Sequence, residues 1–175
     1  HQPRRQRQMC IRDSNFSVKD ILKKGGVADA MEKFKSDGRI KSIGITALGD
    51  IDAINEVVLS DCFDIAQIYY NLLNPSASFS SPGKWNDHNF SNLIKNCKSK
   101  DMGLMNIRIY AAGYLATDKR HGREIPITFG IDETELNKRV EKINLIMRDI
   151  QGTKAQKALR YGLSNDDMST IVIGL

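Results

Sequence analysis

The sequence predicts an α/β fold in which parallel strands alternate with helices. Short apolar runs with the period of a strand are separated by longer stretches where apolar residues recur every three or four positions. Parallel neighbours need a crossover connection of about a dozen residues, which a helix supplies. With 41% hydrophobic and 27% charged residues, the chain has an ordinary globular composition. We therefore expect one α/β domain.

The first 14 residues differ from the rest of the chain. They hold four arginines and one aspartate and contribute +3 of the formal net charge of +5. They show no helical or strand periodicity, and MCIRDS, residues 9–14, resembles the translation of an adapter used to prepare DNA libraries. We interpret residues 1–14 as a non-native or disordered basic head and residues 15–175 as the domain. Because the positive charge lies in the head, we expect no nucleic-acid partner.

The first half of the domain shows two helices and two strands. The first predicted helix ends at Gly38 and carries an apolar stripe: Val27, Ala30, Met31 and Phe34. Residues 42–46, SIGIT, predict a strand. Asp50 predicts the N-cap of a second helix, whose stripe is Ile51, Ile54, Val57 and Val58. Residues 63–71 predict the second strand.

The second half repeats this alternation after a long loop. Residues 74–90 are rich in Ser, Asn and Pro and predict the loop. The elements predicted after it are a helix over 90–99, a strand over 104–110, a helix with a 4,3 apolar spacing from Leu136 to Ile150, a helix over 154–163 and a strand over 170–174. The 4,3 spacing is typical of a helix face that packs into a core.

Four predicted strands fit either half of a (β/α)8 TIM barrel or a small doubly wound sheet. The pattern within the strands favours the partial barrel, because small or polar residues share one side and aliphatic residues the other. On this pattern Asn106 and Arg108 share a side of their strand. If the aliphatic side faces the helices, the polar side faces the barrel axis. Thr46, Gln67 and Arg108 then lie toward the carboxyl ends of their strands, where barrel enzymes build their sites.

Four segments together resemble the aldo-keto reductase family. GGVADAMEKFKSDGRIKSIGIT is similar to the helix and fifth strand of that family, AQIYYNLLNP to the sixth strand and GLMNIRIYAAGYL to the seventh. KALRYGLSNDDMSTIVIG resembles the helix that leads into strand eight. IGIT and IRIYAAGYL are closest to the branch of sugar and aldose dehydrogenases. The resemblance implies the C-terminal half of the barrel, about strands five to eight with their helices, truncated at strand eight.

The resemblance also implies a nicotinamide cofactor, NADP or NAD, and hydride transfer between a carbonyl, such as an aldehyde, ketone or sugar, and an alcohol. Thr46 and Gln67 match the hydroxyl and amide that hold the nicotinamide carboxamide in the family. Ala47 stands where many members have asparagine, so the resemblance leaves one of the family's contacts to the carboxamide without a matching residue. Arg108 stands where many members stack an aromatic ring on the nicotinamide, and a guanidinium plane can stack as well.

Each of these residues also has a structural interpretation. The Gln67 amide lies among apolar residues and is equally satisfied by a hydrogen bond to a neighbouring strand. Thr46 is of a type that often caps the loop that follows a strand. Arg108 is equally able to pair with a carboxylate inside the barrel.

The resemblance assigns no catalytic residue to this chain. In the family the general acid is a tyrosine supported by a lysine, an aspartate and a histidine, and all four belong to the first four βα units. We therefore expect an inactive fragment of an NAD(P)-dependent oxidoreductase, with the missing N-terminal half of the same barrel as its partner. The alternative function is a small α/β binding module without chemistry.

Other classes of site and location are disfavoured by the sequence. His88 and His121 lack metal-ligand neighbours at suitable spacing, so we expect no metal site. The apolar runs are shorter than the roughly 20 residues that span a bilayer, so we expect no membrane contact. Three scattered cysteines form no disulfide framework and favour a cytoplasmic location.

Overall fold

The computed structural model describes residues 9–10, 17–79, 88–120 and 132–173. Its strands and α-helices, in chain order, are β1 (Met9–Cys10), α1 (Val18–Leu22), α2 (Val27–Ser36), β2 (Gly44–Ala47), α3 (Ile51–Leu59), β3 (Ile65–Tyr69), α4 (Leu93–Ser99), β4 (Gly103–Ile107), α5 (Glu133–Ile146), α6 (Lys154–Leu163) and β5 (Thr170–Ile171). A short 3₁₀ helix, Ala111–Gly113, follows β4.

The described strands are hydrogen-bonded in chain order, β1-β2-β3-β4-β5. The β1–β2, β2–β3 and β4–β5 pairs are parallel. Parallel strands in chain order, joined by helices, are the arrangement of part of a (β/α)8 barrel, so the predicted fold class is confirmed. The strand β1 lies in the predicted head and pairs with Ile45 and Thr46, which the sequence pattern did not predict.

The chain divides into two compact units, His1–Ile68 with Leu93–Leu104 and Tyr69–Asn92 with Met105–Leu175. In the first unit, Asp50 caps α3 as predicted, since its carboxylate accepts from the Ala53 N–H at 2.9 Å. The stripe of α3 is buried at Ile54, Val57 and Val58. The residues of the predicted apolar stripe of α2 are exposed or half-buried, and the residue that this helix buries is Ala28.

The second unit has its own core, formed by Leu73, Ile109, Tyr114, Leu115, Val140 and Ala158. The predicted apolar face of α5 contributes Val140, with Leu136 and Ile143 packed partly against the cluster. The expectation was wrong for Ile150, which lies beyond the end of α5 and is 44% exposed. Helix α6 matches its predicted bounds and begins with a capping box between Thr153 and Gln156.

The described ends of the predicted loop 74–90 are joined by buried polar side chains. The Asn74 amide donates to the His88 carbonyl at 2.8 Å, and the Ser76 hydroxyl accepts from the Phe90 N–H at 2.9 Å. Asn74 and Ser76 are 0% and 2% exposed. These polar residues therefore close the loop at its base.

In β4 the side chain of Asn106 lies on a different face of the strand from the one that the sequence pattern predicted. We expected Asn106 to share a polar face directed away from the helices, but its side chain lies against α6: a Cβ built on Gly162 would be 3.2 Å from the Asn106 Nδ2 atom. Leu104, on the same side of the strand, is buried at 1% exposure. The interpretation was therefore wrong for Asn106, because a single polar residue does not reveal which face a strand buries.

None of the helices within the described ranges has the length and apolarity needed to cross a membrane. In the same part of the chain, Cys62 and Cys97 are free thiols.

Candidate functional site

Thr46 and Gln67 lie side by side toward the carboxyl ends of β2 and β3, one and two residues before those strands end. The parallel register pairs the two residues directly, so their side chains project from the same face of the sheet. The Thr46 hydroxyl donates to the Gln67 Oε1 atom at 2.8 Å. Thr46 is buried and Gln67 is half-buried. The structure therefore brings together two of the three predicted site residues, in one hydrogen-bonded polar pair.

Close contact between β2 and β3 sets the position of this pair. A Cβ atom on Gly44 would come within 2.7 Å of the Ile65 carbonyl oxygen, so only glycine fits this strand position. Gly44 pairs with Ile65 two residues before Thr46 pairs with Gln67. The absence of a side chain at residue 44 therefore lets the strands approach where the polar pair forms.

The Asp64 carboxylate makes an ion pair and a backbone hydrogen bond near the amino-terminal ends of β2 and β3. The Asp64 carboxylate accepts from the Ile43 N–H at 2.8 Å and from the Lys35 ammonium at 2.7 Å. Burial tends to raise the pKa of Asp64, but the hydrogen bonds from Lys35 and Ile43 and the charge of Lys35 together hold that pKa below its ordinary value. The carboxylate thus links β2, α2 and the start of β3 in its ionised form.

Asp64→Asn should lower the free energy of unfolding by about 1 kcal/mol at pH 7, because a charge-assisted contact at a partly exposed site is lost. Since folding lowers the pKa of Asp64, its stabilisation is present above the unfolded pKa near 4 and disappears as the pH falls through the folded value. The difference between wild type and variant, measured by urea unfolding, should therefore shrink below about pH 4. A difference that stays constant from pH 7 to pH 3 would show that the charge contributes nothing.

The structural interpretation of Thr46 as a cap for the following loop is not what the structure shows. The residue that caps α3 is Asp50, and the Thr46 hydroxyl donates its hydrogen bond to Gln67. The structural interpretation of Gln67, a hydrogen bond to the neighbouring strand, is realised in that same bond. Ala47 is fully buried as the last residue of β2 and offers only a methyl group.

Arg108, the third predicted site residue, belongs to the second unit. It follows the last residue of β4, and its φ of 61° lies in the left-handed region, which is uncommon for a residue with a side chain. Ala111, Ala112 and Gly113 also have positive φ angles. Backbone strain concentrated in one segment is typical of functional sites.

Asn71, which the sequence analysis did not single out, contacts the backbone of Arg108. It is 1% exposed, and its amide donates to the Arg108 carbonyl at 2.8 Å. In the segment AQIYYNLLNP, Asn71 is the last residue of the predicted strand 63–71, but its partner lies 37 residues further along the chain.

Two reactive side chains are poor candidates for proton transfer or nucleophilic attack near neutral pH. Burial, with a smaller contribution from a hydrogen bond to Tyr70, raises the pKa of the Tyr161 hydroxyl, whose ring stacks on Tyr70 at 5.2 Å. Burial raises the pKa of the Cys97 thiol to about 12. Both groups therefore stay protonated under physiological conditions.

The part of the chain that the structure describes contains no group of three His, Cys, Asp or Glu residues able to hold a metal ion. Among the histidines, His88 uses its backbone carbonyl to close the loop at Asn74. His121 lies outside the described residues.

Parallel strands in chain order, joined by helices, place the chain in the class of α/β proteins and are the arrangement of part of an α/β barrel. The model of the aldo/keto reductase family matches residues 17–175, and the chain belongs to that family. No curated protein matches the chain significantly.

The solved structures include a glycerol dehydrogenase from Gluconobacter oxydans that is similar in fold, with a TM-score of 0.58 and 12% sequence identity. The match covers 94% of this chain and 47% of the glycerol dehydrogenase. The chain therefore spans about half the length of that structure, and at this identity the likeness concerns the fold.

Proposed function

We propose that this chain forms part of an NAD(P)-dependent oxidoreductase that interconverts a carbonyl, such as an aldehyde, ketone or sugar, and an alcohol. The observation that carries the proposal is the Thr46–Gln67 pair, which lies toward the carboxyl ends of β2 and β3 in a chain of the aldo/keto reductase family. Bound NADP or NAD would supply the hydride chemistry, and the protein would hold and orient the nicotinamide.

The chemistry of the pair fits a carboxamide ligand. A nicotinamide carboxamide offers one acceptor and two donors, and Thr46 and Gln67 together offer hydroxyl and amide groups of both kinds. The bond from Thr46 to the Gln67 Oε1 atom also fixes which way the Gln67 amide is turned. A pre-oriented amide loses less side-chain entropy on binding, which favours recognition.

Arg108 would also contact the cofactor, since its planar cation can stack on an aromatic ring. Its left-handed backbone supports this assignment, because strain is retained where the surrounding structure requires it for function. Ala47 would make no polar contact, so Thr46 and Gln67 would hold the carboxamide without the asparagine that many relatives carry.

We further propose that catalysis requires four more βα units that complete the barrel and carry the general acid. The match to only 47% of the glycerol dehydrogenase supports this. The 175-residue chain alone should then oxidise no NADPH in the presence of an aldehyde. Residues 1–14 would be a non-native head, and the free thiols at Cys62 and Cys97 are compatible with a cytoplasmic enzyme.

Nicotinamide mononucleotide tests the site without the adenosine half of the cofactor. Titration of the ¹⁵N-labelled chain should shift the Gln67 side-chain amide signals, and Gln67→Leu or Thr46→Val should weaken binding by about five- to tenfold because one hydrogen bond is lost. Thr134→Val, at an exposed position of α5, is the matched control and should bind as wild type does.

Unchanged affinity in both Gln67→Leu and Thr46→Val would remove the nicotinamide site from these residues. The non-catalytic binding module would then be the better description of the chain.

A further inference from the structure

We propose that Asn71 is a positioning residue, whose side chain holds Arg108 in its left-handed conformation and so sets the direction of the guanidinium. The inference rests on the proposed function, in which Arg108 contacts the cofactor. It adds a residue to the site that neither the sequence patterns nor the comparisons assign.

Three hydrogen bonds of the Asn71 side chain go to backbone beyond the end of a strand. Its Nδ2 donates to the Arg108 carbonyl at 2.8 Å, and its Oδ1 accepts from the Leu73 N–H at 2.9 Å and the Asn74 N–H at 3.0 Å. The side chain is buried at 1% exposure, so these bonds are shielded from water. Asn71 therefore ties the turn that follows β3 to the residue that follows β4.

The Arg108 carbonyl is fixed from two sides. Besides the bond from Asn71, it accepts from the Ala111 N–H at 2.9 Å. The strain of a left-handed residue with a side chain is of the same order as the net gain from one hydrogen bond. We therefore expect loss of the Asn71 bond to shift the backbone of Arg108 toward an ordinary negative φ, even with the Ala111 bond in place.

The left-handed conformation matters because it ends the alternation of β4. Successive strand residues point to opposite faces, so residue 108 in a continued strand would follow Asn106 toward helix α6. The φ of 61° at Arg108 breaks that pattern. Asn71 thus prevents the arginine from being directed at the helix layer.

Asn71→Asp tests the bond with almost no change in volume. The carboxylate keeps the acceptor for Leu73 and Asn74 and loses the donor to Arg108. The intraresidue amide–Hα nuclear Overhauser effect is strong at positive φ, so its intensity at Arg108 should fall in the variant at pH 7. Asp101, with a φ of 53°, should keep its strong signal as an internal control. Acidification that protonates the introduced carboxyl should restore the donor and the Arg108 signal.

Asn71→Ser serves as a second variant if the aspartate is poorly tolerated. A serine hydroxyl can still accept from the turn but is too short to reach the Arg108 carbonyl. An unchanged Arg108 signal in whichever of the two variants folds would overturn the inference, because Arg108 would keep its conformation without Asn71.

Nicotinamide mononucleotide separates this inference from the proposed function. In wild type both the Gln67 side-chain amide and the Arg108 Nε–H should shift on titration, and in Asn71→Asp the Arg108 shift should fall by at least about half while the Gln67 shift remains. Full shifts at both residues in the variant would overturn the positioning role and leave the proposed function standing. No shift at either residue in wild type would overturn the proposed function, and the ligand-free measurement would still decide the role of Asn71.

Discussion

Asn106→Leu is expected to stabilise the chain, although it replaces a fully buried residue. Asn106 is 0% exposed, and neither polar atom of its side chain has a hydrogen-bond partner in the described structure. A buried amide without partners destabilises a fold by about 1–3 kcal/mol. Leucine has a similar branched shape and would gain from burial against Ile109 and Ile171, which line the same contact at Gly162.

We expect the free energy of unfolding to rise by about 1–3 kcal/mol, and the Tm by roughly 2–4 °C for each kcal/mol. Urea and thermal unfolding followed by circular dichroism would measure both. Asn106→Asp is the control and should strongly destabilise the chain, because it buries an unpaired charge. A loss of stability in Asn106→Leu would show that the amide has a partner, such as a bound water molecule.

Gly44→Ala should have the largest effect on the candidate site. The added Cβ would lie 2.7 Å from the Ile65 carbonyl oxygen and 3.1 Å from the Ile65 Cβ. Backbone cannot move aside as a flexible side chain can, so β2 and β3 must separate. Overpacking of this kind lowers the free energy of unfolding by about 1–3 kcal/mol.

The separation should also weaken the Thr46–Gln67 bond, two residues along the same strand pair. We expect the Gln67 side-chain amide signals to move toward those seen in Thr46→Val, where that bond is removed. Gly103→Ala is the matched control, since its Cβ would meet only ordinary contacts at 3.8 Å and 3.9 Å. Equal stabilities of Gly44→Ala and Gly103→Ala would contradict the close strand approach.

The sequence predicted best those elements whose signals are local. Helix α6 was placed to the residue, and α3 was placed through its cap at Asp50, because caps and apolar stripes act within a few positions. The strands were predicted in the right order but too long. Strand β4 ends at Ile107 because Arg108 turns left-handed, and no local pattern encodes that change.

Local sequence patterns predicted less of the candidate site than of the helices and strands. Thr46 and Gln67 were assigned through a family resemblance, and their direct hydrogen bond depends on a strand register that local patterns leave open. Asn71 was missed because an asparagine at the end of a predicted strand is typical of any turn. Its partner at Arg108 is distant in sequence, and only the folded chain brings the two together.

We propose above all that Thr46 of β2 and Gln67 of β3 bind a nicotinamide carboxamide. The most direct measurement is an isotope-filtered nuclear Overhauser experiment on the ¹³C,¹⁵N-labelled chain with unlabelled nicotinamide mononucleotide. We predict cross-peaks between the nicotinamide ring protons and the Thr46 methyl group, with their loss in Gln67→Leu. Ring-proton contacts confined to other parts of the chain, with none at Thr46, would contradict the claim.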